Sequence, residues 1–188
     1  MTELMQNTGP LSLWECLHDG SVTSLDSDFM ARTLSIVVDC AYHWEFHNLP
    51  ADTRFRIVGK NARIAEVFDF EPWPGATEPT REAPWEASQE RQRKNYEKGR
   101  LISTDWNSFA ADVETDEDYE IMSAELGAGN PLAVLELGIM SYPNSNYRTV
   151  KIHAECFHFY LAERELSIDD FQKFGAEYWN DFAQRSKT

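Results

Sequence analysis

The sequence predicts an α+β domain: a curved antiparallel sheet, or partial barrel, of about seven to nine strands with a C-terminal amphipathic helix. Three features carry that expectation. Apolar residues alternate with a period of two through most of the chain, the mark of strands with one buried face. Short turn signals separate these runs, as in hairpins. The C-terminal end switches to apolar spacings of three and four, the period of a helix. With 188 residues, 42% hydrophobic and 13% aromatic, the chain suffices for one packed domain spanning 1–188.

The segment 11–28 reads as a short helix or strand, a turn at His18-Asp19-Gly20, and a short strand from Ser21 to Leu25. From Leu34, every second residue is apolar through Ile36, Val38, Cys40, Tyr42, Trp44 and Phe46, which predicts one long strand with a bend or bulge in it. Residues 53–58 and 62–70 then form two further strands of a meander, joined by a tight turn at Gly59-Lys60-Asn61. Ile64, Phe68 and Phe70 are expected to face inward in the last of these. Glu66 shares their parity, so it is either out of register or a buried carboxylate in need of a partner.

Residues 71–100 break the pattern with prolines at 72, 74, 79 and 84, which oppose a central strand. A largely solvated helix between Pro84 and Gly99 fits this charged excursion. Strands resume at 118–126 and 132–140, with Ala133, Leu135, Leu137 and Ile139 inward. The run 147–165 carries Val150, Ile152, Ala154 and Cys156 on one phase, then Phe157, Phe159 and Leu161 on the other, which predicts a bulge or corner. The C-terminal helix, 167–185, opens on Ser167 as N-cap with Asp169 and Asp170 in its first turn. Ile168, Phe171, Phe174, Tyr178 and Phe182 form its apolar stripe.

The formal net charge of −15 argues against binding to nucleic acid or to an anionic membrane, and leaves room for a basic protein partner. Three well-separated cysteines, Cys16, Cys40 and Cys156, form no CxxC and no disulfide framework, which suits a reducing cytosol. The N-terminus lacks the pattern of a signal peptide, and no stretch nears the ~18 apolar residues of a membrane span. A soluble cytoplasmic protein without a cofactor is expected.

Several residues are candidates for function. His43, Glu45 and His47 fall on the wetter side of their expected strand, and His153 and Glu155 on the polar side of theirs. Imidazole and carboxylate are ligands for zinc or iron, so pairing of the two strands would gather a metal site. Histidines standing in water are the plainer expectation. The acidic run 112–120 holds Asp112, Glu114, Asp116, Glu117 and Asp118 but lacks the spacing of a calcium loop. With Trp73, Trp85 and Trp106 it supplies acidic and aromatic surface for a basic partner. His158 and Glu66 are candidates to line a pocket inside the curved sheet. The His-Ala-Glu at 153–155 lacks the downstream P-C-x-x-C of the zinc deaminases. A Cys–His nucleophile is conceivable at Cys16 and His18, but no orienting group is apparent there.

The opening LWECLHDG followed by short strands, and the ending ELSIDDFQKFGAEYWNDF, resemble a loose group of small bacterial α+β proteins, some of them immunity-type proteins. The resemblance covers mainly the two ends and implies no catalytic residue. Three functions are therefore expected in order: an acidic, non-enzymatic binding protein, immunity-like and recognising a basic protein; a metal-dependent enzyme using the strand histidines; and a small-ligand binder with a pocket in the sheet.

Overall fold

The structure, a computed structural model, describes residues 10–28, 30–71, 98–115, 118–129, 131–142 and 147–186. It is α+β, with eleven strands and four helices among these residues. The strands are β1 (Leu11–Ser12), β2 (Ser21–Asp28), β3 (Thr33–Asp39), β4 (Phe55–Lys60), β5 (Ile64–Glu71), β6 (Arg100–Thr104), β7 (Asp118–Gly127), β8 (Ala133–Tyr142), β9 (Tyr147–Ala154), β10 (Cys156–Leu161) and β11 (Arg164–Leu166). The helices are α1 (Trp14–Leu17), α2 (Ala41–Phe46), α3 (Trp106–Val113) and α4 (Ile168–Arg185).

All strands join one antiparallel sheet in the order β11-β10-β4-β3-β2-β7-β8-β9-β5-β6, with β1 on β7. The sheet is not closed into a barrel. It exceeds the expected strand count because the run 147–165 divides into β9, β10 and β11, and because β6 follows the Pro-rich excursion. Of that excursion, only 71 and 98–100 fall among the described residues.

The register explains the sheet's bend. β4 pairs with β10 from Phe55↔Leu161 to Lys60↔Cys156, and β5 pairs with β9 from Ile64↔His153 to Asp69↔Arg148. Between these ladders Asn61, Ala62 and Arg63 oppose only Ala154 and Glu155, so one extra residue bends both strands together. The phase change read at 154–157 is this corner. The expected 53–70 hairpin does not form, because β4 pairs with β3 and β10 whereas β5 pairs with β9 and β6. β5 keeps the inward parity of Phe55 and Ile57, and the change of phase falls between Ala154 of β9 and Phe159 of β10, so the inward face expected for Ile64, Phe68 and Phe70 is corrected. Val67 is fully buried opposite Val150, while Ile64 is 46% exposed.

The expected strand 34–46 is also corrected. It ends at Asp39, and Ala41–Phe46 is α2. Cys40, just before α2, and His43 and Trp44 within it are buried, with His47 half-buried just after it. That i, i+3, i+4, i+7 set is helical, and it emerges only once the two histidines are counted as core side chains.

α4 begins as expected: the Ser167 hydroxyl accepts the Asp170 N–H at 3.1 Å. Phe171 is fully buried, with its ring 4.9 Å from that of Phe55 on β4 and 4.7 Å from that of Phe159 on β10. Burying one such side chain contributes about 1.5–3 kcal/mol. The side chains of Phe174 and Tyr178 continue the stripe over His43 and Tyr42 of α2. At the His18-Asp19-Gly20 turn the left-handed residue is Asp19, with φ 59°. Gly20 is needed instead for space, since a Cβ there would meet Cys40 Sγ at 2.6 Å.

Candidate functional site

The expected metal ligands are dispersed. His43 of α2 lies in the core, its ring 5.2 Å from Phe174 and 5.9 Å from Phe55. No hydrogen bond of ordinary geometry reaches either ring nitrogen. Burial, then the charge of His47, lowers its pKa to about 4; the Glu15 and Cys16 carbonyls pull weakly the other way. His47 stacks on Phe174 at 3.8 Å, and Glu45 is exposed. His153 sits on β9, away from α2, with its Nε2 3.1 Å from Glu66 Oε2. Glu155 holds the bend, accepting from Asn61 Nδ2 at 2.9 Å and Arg63 Nη2 at 3.4 Å. Among the described residues no three His, Cys, Asp or Glu side chains are grouped to hold a metal ion.

The acidic run turns partly inward. Asp112, near the end of α3, lies 3.2 Å from Arg148 Nη2. That guanidinium, on a side chain only 14% exposed, also donates to Asp69 Oδ1 at 2.5 Å and to the Tyr119 hydroxyl at 3.1 Å. Glu114 and Asp118 are exposed. Asp116, Glu117, Trp73 and Trp85 lie outside the described residues. Trp106 is half-buried at the start of α3, its ring edge-on to Phe109 at 6.5 Å.

Glu66 and His158 do not share a pocket: Glu66 pairs with His153 across β5 and β9, whereas His158 belongs to a different cluster. Among the described residues an open cleft of about 250 Å³ lies where the β2–β3 turn, the bend after β4 and the first residues of α3 meet. Leu34, Ile64 and Trp106 give it an apolar wall, and Asp28, Arg32 and Arg63 give it charge. The local topology makes this arrangement. Asp28 Oδ1 accepts the N–H groups of Met30 and Ala31, which tightens the turn. Arg32 takes a left-handed backbone, φ 51°, and its carbonyl accepts the Ala62 N–H at 2.9 Å. That bond ties the turn to the bend carrying Arg63. Neither arginine stood out in the sequence, because each is ordinary within its own segment.

A second constellation stands on the β10–β11 hairpin. Cys156 Sγ is 3.5 Å from His158 Nε2, and His158 Nδ1 is 2.5 Å from Glu165 Oε1. Cys156 and His158 share a sheet face because they are two residues apart on one strand. Glu165 reaches His158 diagonally, its own register partner being Tyr160. Cys156 is exposed, and the His158 and Glu165 side chains are 34% and 55% exposed. The Cys-x-His spacing on a strand was the available signal. The comparable pair at Cys16 and His18 is a poor one: Cys16 is buried and donates to the Phe171 carbonyl at 2.7 Å, and burial pushes its thiol up to about 12.

No protein-family model, curated protein or solved structure matches the chain. The immunity-type resemblance of its two ends therefore rests on those motifs alone. Among the described residues no helix is long and apolar enough to cross a membrane.

Proposed function

We propose that this protein binds a small organic anion in the cleft between the β2–β3 turn, the bend after β4 and α3. The observation that carries the reading is the lining itself. Two guanidinium groups, Arg32 and Arg63, and one carboxylate, Asp28, stand beside an apolar wall in a chain whose formal net charge is −15. Arg63 is also held by Glu155 at 3.4 Å, so Arg32 is the guanidinium that most favours negative charge in this concavity. Leu34, Ile64 and Trp106 offer a surface for a flat or branched apolar body. Guanidinium groups recognise carboxylate or phosphate by paired hydrogen bonds, and Asp28 can accept from a hydroxyl or amine. A basic protein partner draws less support, since Asp112, the first carboxylate of the acidic run, is turned to Arg148.

Thermal unfolding against a panel of aliphatic and aromatic carboxylates and phosphate esters tests the reading. A ligand present at a hundred times its Kd stabilises by about 2.7 kcal/mol, a shift of several degrees for a domain of this size. The Arg32→Gln/Arg63→Gln double variant is expected to lose that shift while keeping its own melting temperature near that of the parent. A panel with no shift, or a shift that persists in the double variant, rejects the cleft as the binding site.

A further inference from the structure

We infer that Cys156, His158 and Glu165 form a thiol-exchange site that takes a low-molecular-weight disulfide. The proposal stands on different residues from the cleft and does not depend on it. An ionised carboxylate only accepts hydrogen bonds, so His158 Nδ1–H donates to Glu165 and Nε2 presents its lone pair to the Cys156 thiol, 3.5 Å away. That is the order nucleophile, base, orienting group. Lys60 stands directly opposite Cys156 in the β4 register, so the two side chains share one sheet face. Arg56 of β4 lies further along that face over the Tyr160 ring, 4.7 Å from its centroid. The chain neighbour Glu155 is occupied by Asn61 and Arg63.

Exposure selects the chemistry. Acyl transfer needs preorganised donors for an oxyanion in a water-excluded cavity. Cys156 stands instead on an open sheet face. Thiol–disulfide exchange asks only for a thiolate, access and a route for one proton. The step balances as follows. The Cys156 proton passes to His158 Nε2, and the thiolate attacks one sulfur of the disulfide. A new S–S bond to Cys156 forms as the old one breaks. The departing thiolate takes the proton from His158 and leaves as a free thiol. A second small thiol reverses the reaction, so the site is a reversible mixed-disulfide switch.

The test follows the native protein with a chromogenic aromatic disulfide. One thiol is expected to react quickly, with Cys16 and Cys40 reacting only on denaturation because both are buried. Cys156→Ser removes the fast phase. His158→Gln slows it by about tenfold or more and removes one inflection from its pH–rate profile. Glu165→Gln slows it several-fold without changing the circular-dichroism spectrum or melting temperature. A fast phase that survives Cys156→Ser overturns the proposal. So does a His158→Gln variant whose rate matches the parent across the pH range, which would leave Cys156 an ordinary exposed thiol.

Discussion

His43 lies with its ring 5.2 Å from that of Phe174, which fixes α2 beneath α4 through an imidazole rather than through an aliphatic side chain. Such a ring is stable there only without its proton. Burial lowers its pKa from 6.5 to about 4. Below 6.5 the unfolded chain takes up a proton that the folded chain refuses, so the stabilisation is fully present above 6.5 and is lost as the pH falls toward about 4. A shift of this size corresponds to about 3 kcal/mol. His43→Phe is expected to remove that slope, with stability above the window changed by no more than about 1 kcal/mol. Urea unfolding on both sides of the window checks it; an unchanged acid limb in the variant would assign the slope to other groups.

Gly175 is the point at which α4 touches α1. A Cβ there would meet Cys16 Sγ and the Glu15 carbonyl at 2.6 Å. Backbone does not yield as a flexible side chain does. Alanine's gain of about 1 kcal/mol in helix propensity is therefore outweighed, and Gly175→Ala is expected to destabilise by about 1–3 kcal/mol. Guanidinium unfolding gives the sign directly, and a stabilised variant would mean that the helices separate easily.

Local chemistry made some of the fold legible. Ser167 before a three-and-four apolar stripe is a helix start in any context, and the switch from Cys156 to Phe157 marks a corner because side chains alternate along a strand. Two errors came from assigning polarity by residue name. His43 and His47 were counted as wet, which turned a helical set into a period of two. In β5 the apolar names Ile64, Phe68 and Phe70 set the inward face, although the parity of Phe55 and Ile57 carried through Asn61–Arg63 points to Val67. The candidate sites were less legible because they are products of topology. Arg32, Arg63 and Trp106 come from three separate segments. Glu165 reaches His158 only because β11, three residues long, folds back on β10.

Arg148 is a hub whose loss should be felt beyond its own contacts. Its guanidinium joins Asp69, Asp112 and Tyr119 and lies 5.2 Å from the centre of the Phe109 ring, so it links β5, β7 and β9 to α3. Arg148→Met keeps the aliphatic stem but leaves two carboxylates without their cation. A loss of about 2 kcal/mol is expected. Combining it with Asp69→Asn should cost less than the sum of the single variants, which a double-mutant cycle measures. Strict additivity would show that the contact contributes nothing to stability.

Asn61 connects fold stability to the cleft. It is the first residue of the bend and takes a left-handed backbone, φ 48°, while its side-chain amide donates to Glu155 at 2.9 Å. These two roles separate by substitution. Asn61→Gly keeps the backbone freedom and removes the side-chain bond. An exposed bond of this kind contributes about 1 kcal/mol at most. Asn61→Val removes both, and a β-branched residue in this region adds about 1–2 kcal/mol of backbone cost. The valine variant should therefore be the less stable of the two by roughly that amount. Because the next two residues, Ala62 and Arg63, line the cleft, strain relieved by moving the bend displaces a guanidinium from it. Organic-anion binding is expected to weaken in Asn61→Val and to persist in Asn61→Gly, with paired unfolding and titration measurements on the two variants as the check. Equal binding in both would separate the bend from the cleft and leave Arg32 as the main anion contact.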